Sequence, residues 1–299
     1  MDSSIECAEA RALSYGYSAR AHSGSRRDME RSARLSGKVA VVTGAGRGVG
    51  RAIGEALAAQ GLSVALVARG EAQLAETRQA IHAAGGVAEI FPIDVTNAGA
   101  VLGRLLPEVT QALGIPSVLV NSAGMYGPIA LLKDSDPEHW IRTVQVNTFG
   151  AYLTCRAFVA GMIDSGWGRI INISSAAALH PPGPLTSAYA VSKIALNAMT
   201  RSLAAELTGT GVTANALHPG DLKTEMWREI KDRAALLDEE GSGLRDWAAW
   251  VEQTGGDPPS KAAERVLNLL GDDAAAINGQ FLWIEGGLQT PSGMPWTQE

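Results

Sequence analysis

The chain has 299 residues, 46% hydrophobic and 19% charged, with a formal net charge of −6. This composition suits a soluble protein built around one large α/β domain with a sizeable core. The mild acidity argues against a general nucleic-acid binder, no apolar run approaches the ~18 residues of a membrane span, and two cysteines, Cys7 and Cys155, cannot make a disulfide framework.

Residues 1–36 carry six arginines against five acids, several serines and little apolar periodicity. They lack the apolar region of a secretory signal and are expected to form a disordered extension. The domain is expected from residue 37 to residue 299. The first strand is expected at 38–43, a β-branched apolar run. It ends in Thr43-Gly44-Ala45-Gly46-Arg47-Gly48-Val49-Gly50, and an alanine-rich helix follows at 48–60. Strand, glycine turn and helix is the context a dinucleotide fingerprint requires. The glycines permit close backbone approach, and the helix N-terminus offers unpaired N–H groups to a pyrophosphate. The alternative is a purely structural glycine turn.

A second strand at 63–68 ends in Ala68-Arg69, where dinucleotide folds meet the adenosine ribose. A carboxylate there selects NAD(H), whereas arginine accommodates the 2′-phosphate of NADP(H). With Arg69 present and Arg47 within reach of the same phosphate, NADP(H) is the expected cofactor and NAD(H) the second choice. Further strands are expected at 88–93, 117–121, 169–174, 212–217 and 280–284, and further helices at 71–84, 97–113, 136–164, 186–208 and 260–270. The alternation implies βαβ units: a single Rossmann-like, doubly wound domain with about seven parallel strands flanked by helices.

Tyr189 and Lys193, four residues apart, share one face of the helix expected at 186–208. An ammonium near a phenol stabilises the phenolate, and a phenol tuned in that way exchanges protons near neutral pH. By itself the spacing also fits an ordinary surface pair. Segment 221–260 holds Met226, Trp227, Trp247 and Trp250, which either line an apolar cavity or pin a helix of the segment to the body. Met125 and His180 are weaker candidates for substrate contact. The five histidines show no metal-ligand spacing, so no metal site is expected.

Taken in order, these motifs resemble the short-chain dehydrogenase/reductase family over residues 35–287. The turn Thr43–Gly50, Asp94-Val95 after the third strand, Asn121-Ser122-Ala123-Gly124, Asn147, the pair Tyr189 and Lys193, and Pro219-Gly220 with Thr224 carry the resemblance. It implies a catalytic tetrad of Asn147, Ser175, Tyr189 and Lys193, and a substrate lid over residues 221–260. It implies cofactor contacts from Gly44, Arg47, Gly48, Val49, Gly50, Arg69, Asp94, Val95, Asn121, Ala123, Gly124, Pro219, Gly220 and Thr224, besides Tyr189 and Lys193. Ser175 stands 14 residues before Tyr189, one more than the family usually shows, so Ser174 stays open as an alternative.

The implied activity is NAD(P)-dependent interconversion of a ketone or aldehyde and an alcohol, on a small-molecule substrate. A cytoplasmic homo-oligomer, dimer or tetramer, is expected; the apolar face of Leu196, Met199 and Leu203 either packs against the chain's own sheet or forms the seam. The rival readings are a cofactor-sensing binding protein without turnover and an NAD-dependent alcohol oxidiser.

Overall fold

The computed structural model describes residues 32–179 and 183–291. The expected disordered extension before residue 32, and His180, lie outside the described residues. The domain's packing starts slightly before residue 37, because Leu35 is buried in the core and Ser32 Oγ donates to the carbonyl of Gln60.

Seven parallel strands form one sheet in the order β3-β2-β1-β4-β5-β6-β7. They are β1 Val39–Thr43, β2 Ser63–Ala68, β3 Val87–Pro92, β4 Pro116–Asn121, β5 Gly168–Ile173, β6 Val212–His218 and β7 Phe281–Trp283. Strands β1, β5 and β6 are buried along their whole length, as expected where helices cover both faces. The helices are α1 Gly48–Ala59, α2 Glu71–Ala83, α3 at 98–113, α4 at 137–164, α5 Ser187–Glu206, α6 Glu225–Ala234, α7 Ser242–Thr254 and α8 Pro259–Leu269. One apolar cluster joins α1 and α8 to one sheet face, and a second joins α3 and α4 to the other.

Chain order reverses between β1 and β4, the switch point where such sheets open a crevice at their C-terminal ends. There the Thr43 hydroxyl accepts from the backbone N–H groups of Ser122 and Ala123, both at 3.1 Å, tying the β1 and β4 turns together. Two helices depart from the expected regular form. Helix α3 widens into a π-helical stretch at Val101–Leu105 and α4 does so at Gln145–Phe149. Such bulges recur at functional sites, and the second contains Asn147. Among the described residues, no helix is long and apolar enough to cross a membrane.

Candidate active site

The ends of β1, β4, β5 and β6 open into a cavity of about 590 Å³, closed on its far side by α6 and α7. Its β1 wall is the turn Gly44–Gly50. Gly44 has φ +67°, and a Cβ there would sit 2.8 Å from the Ala123 nitrogen. A Cβ on Gly50 would sit 2.4 Å from the Gly44 carbonyl oxygen. Only glycine fits either position, so bare backbone faces the cavity: a cradle fit for a pyrophosphate. Arg47, the residue before α1, forms an ion pair with Glu225 at the start of α6. Both side chains are about half exposed, so the pair contributes no more than about 1 kcal/mol.

Opposite the cradle stand Ser175, Tyr189 and Lys193, all on the cavity wall. Ser174 also lines the cavity, but its hydroxyl turns away from it and donates to Asn197 Oδ1 at 2.7 Å. The Ser175 hydroxyl faces Tyr189 instead and also accepts from the Ala177 N–H at 3.2 Å. Lys193 is 5% exposed and donates from Nζ to the Ile173 carbonyl at 2.8 Å. Its Nζ lies 5.6 Å from the centre of the Tyr189 ring.

Burial dominates the electrostatics of this pair. Burial pushes the Tyr189 phenol up to about 12, with the Ser175 hydroxyl pulling the other way. Burial brings the Lys193 ammonium down to about 8. The expectation that Lys193 lowers the Tyr189 pKa is therefore not met in the free protein. At 5.6 Å from the ring, with its ammonium on a backbone carbonyl, the lysine does not outweigh the cost of burying a phenolate.

Asn147 sits behind the cavity wall rather than on it. Its Oδ1 accepts from the Met125 N–H at 2.8 Å, and its Nδ2 donates to the Met125 carbonyl at 2.8 Å and to Ser192 Oγ at 2.9 Å. Ser192 in turn donates to the Tyr189 carbonyl at 2.7 Å. One buried amide thus ties the segment after β4 to the helix carrying Tyr189 and Lys193. Ser192 had no sequence signal beyond its place beside Lys193.

Of the other sequence-derived positions, Arg47, Gly48, Val49, Gly124, Pro219, Gly220 and Thr224 line the cavity. Arg69, Asp94, Val95, Asn121 and Ala123 are not on its wall. Arg69 is exposed at the end of β2. Burial pushes the Asp94 carboxyl up, but hydrogen bonds from Thr96 and the Arg142 guanidinium outweigh it and hold it below its ordinary value. Asn121 spends its side chain in the core, donating to Asn172 Oδ1 at 2.9 Å and accepting from Thr154 Oγ1 at 2.6 Å, which leaves only its backbone for a ligand. Val95 is buried, packed against Gly150 of α4. Ala123 is committed through its N–H to Thr43.

Within 221–260, two tryptophans do both of the things the sequence left open. Trp227 and Trp247 line the cavity, and each is also pinned. Trp227 Nε1 donates to the Ala248 carbonyl at 3.2 Å and Trp247 Nε1 to Asp221 Oδ1 at 2.9 Å. Met226 lines the cavity as well, whereas Met125 and Trp250 do not. Sequence reasoning passed over Tyr126, His218, Asp221 and Glu225, which also line it. The single available hint was an aromatic residue two positions after Gly124.

A sequence profile described as short chain dehydrogenase matches residues 38–235. Galactitol 2-dehydrogenase (L-tagatose-forming) of Cereibacter sphaeroides is 36% identical over 258 residues, covering 85% of this chain and 96% of the relative. 2-(S)-hydroxypropyl-CoM dehydrogenase 3 of Xanthobacter autotrophicus is 34% identical over 259 residues, covering 86% and 98%. The crystal structure of an NAD+-bound xylitol dehydrogenase superimposes with a TM-score of 0.76 at 28% identity, covering 85% of this chain and all of that one.

The two adjacent serines separate by stability. Ser174→Ala leaves Asn197 Oδ1 without its buried donor and is expected to cost about 1–3 kcal/mol in urea unfolding. Ser175→Ala, at the cavity wall, is expected to cost less than about 1 kcal/mol. Equal costs would contradict the division of labour drawn from the hydrogen bonds.

Proposed function

Because the chain belongs to the short-chain dehydrogenase/reductase family, an oxidoreductase family of alcohols and ketones that works with a nicotinamide cofactor, we propose that Tyr189, Ser175 and Lys193 form its proton relay at the carbonyl oxygen. The observation that carries the reading is their convergence on one cavity wall facing the glycine cradle. A bound nicotinamide dinucleotide supplies or accepts the hydride. The Gly44–Gly50 turn would hold its pyrophosphate against the start of α1.

In the reduction direction Tyr189 donates its proton to the oxygen of the carbonyl as charge builds there. Its raised pKa keeps the phenol protonated at neutral pH, the state a donor needs. The Ser175 hydroxyl donates a hydrogen bond to the same oxygen and holds it in place. Lys193, with its ammonium beside Tyr189, offsets the negative charge left on the phenolate. Asn147 positions the relay by fixing Met125 on one side and, through Ser192, the first turns of α5 on the other. In the oxidation direction the same groups act in reverse, with the tyrosine as base.

We read the cofactor as NADP(H) in preference to NAD(H). Arg69 supports this, exposed at the end of β2 where no carboxylate stands. Arg47 adds to it only when it leaves Glu225. The substrate is read as a partly apolar ketone or secondary alcohol, because Trp227, Trp247, Ile230 and Met226 form the wall across from the relay. The two relatives are named for galactitol and hydroxypropyl-CoM, so their names do not converge on one substrate.

A homo-oligomer is read from exposed apolar side chains on neighbouring helices: Phe149 and Tyr152 on α4, Val191 and Ile194 on α5. Leu196, Met199 and Leu203 pack into the body, the burial alternative left open for that face, and are not part of this surface. A cytoplasmic setting suits the unpaired, buried Cys155, whose thiol burial pushes up to about 12.

Tyr189→Phe keeps the ring and removes the donor. Carbonyl reduction is expected to fall about 10²–10⁴-fold while cofactor affinity, read by NADPH fluorescence, is retained. Retained reduction would remove Tyr189 from the relay. Arg69→Asp is expected to weaken NADPH binding about tenfold or more relative to NADH binding. Equal weakening of both would overturn the NADP(H) reading.

A further inference from the structure

Tyr126 stands on the cavity wall, and its polar group has no work in the relay. It is 5% exposed, and its hydroxyl is fully buried without a hydrogen-bond partner among the described residues. Its ring stacks on Tyr189, with centroids 4.7 Å apart and planes 26° from parallel. Around it are apolar groups of one cluster, among them Leu185, Trp227 and Ile230. A hydroxyl buried among such groups forfeits its hydrogen bonds to water, and a folded protein keeps few groups in that state. Phenylalanine would fill the same space at no such cost.

The position of Tyr126 is also built, not incidental. The residue before it is clamped on both sides of its peptide by the Asn147 amide. The residue after it is Gly127 at φ +86°, where a Cβ would come within 2.2 Å of Thr143 Oγ1. Backbone constraints on both flanks therefore hold the phenol against the catalytic ring. The two tyrosines are electrostatically coupled, since burial and then the neighbouring Tyr189 push the Tyr126 phenol well above its ordinary range.

We propose that the Tyr126 hydroxyl binds a second oxygen of the substrate, carried on the carbon adjacent to the reacting carbonyl or the next one along. The substrate class is then a hydroxyketone, or the corresponding diol, with an apolar body against Trp227 and Ile230. The phenol donates to that second oxygen while Tyr189 and Ser175 hold the first, so the substrate is fixed at two points and the face presented for hydride transfer is set. The inference rests on the relay reading of Tyr189 given above.

The test uses ketone pairs that exchange a hydroxyl for a methyl group of similar size: 2-hydroxyacetophenone with propiophenone, and 3-hydroxypropiophenone with butyrophenone. The wild-type chain and Tyr126→Phe are compared by kcat/KM with NADPH and with NADH, and by thermal unfolding. The wild type is expected to favour the hydroxylated member of at least one pair, and that preference ratio is expected to drop about tenfold or more in Tyr126→Phe. Thermal stability is expected to hold or rise, because the substitution removes an unsatisfied group. An equal loss on both members of each pair, an unchanged ratio, or a wild-type preference for the methyl members would overturn the inference while leaving the relay intact. Absence of turnover on all four ketones by a chain that binds the cofactor would overturn the relay reading, and the inference with it.

Discussion

The site depends on burying a phenol and an ammonium side by side at the end of a parallel sheet. Neither charged form is welcome there. Burial lifts Tyr189 to about 12 and lowers Lys193 to about 8, so the two are driven toward their neutral states from opposite sides. The protein tolerates the lysine by giving its Nζ the Ile173 carbonyl at the tip of β5. It tolerates the tyrosine by leaving the phenol protonated against Ser175. The result is a protonated phenol beside a cation, the pair that the proposed relay would use as proton donor and balancing charge.

Holding that pair still falls to Asn147. Its amide is spent entirely on Met125 and Ser192, so it joins three pieces of chain that are distant in sequence: the segment after β4, α4 and α5. The π-helical stretch Gln145–Phe149 is the local device that carries this side chain within α4. A second polar network, Asn121 with Asn172 and Thr154 and Asn172 with Thr200, ties β4, β5, α4 and α5 just beneath. Buried networks of this kind rigidify when every member is satisfied.

Much of this was legible in the sequence because the signals are short-range. Each strand is an apolar run between turns, and the glycine turn after β1 is forced by contacts only glycine survives. Tyr189 and Lys193 lie one helical turn apart, so helical geometry alone puts them together. What stayed hidden is long-range or depends on exact direction. The Arg47–Glu225 pair joins residues 178 apart. Nothing in the sequence states that the Ser174 hydroxyl turns to Asn197 while the Ser175 hydroxyl turns to Tyr189, or that Lys193 points its charge at a carbonyl rather than at the phenol. The π-helical stretches carry no composition signature, and the apolar side chains that α5 exposes, Val191 and Ile194, do not belong to the Leu196, Met199 and Leu203 face.

The central claim, that burial sets the protonation of the relay, is open to direct titration. With tyrosine labelled at 13Cζ, the chain's five tyrosines are followed by NMR across alkaline pH in the cofactor-free protein, and Tyr189 is assigned by its loss in Tyr189→Phe. With burial in control, that resonance is expected to have its midpoint raised to about 12. A midpoint below the ordinary tyrosine value of about 10 would show that Lys193, not burial, governs the phenol, and would contradict it.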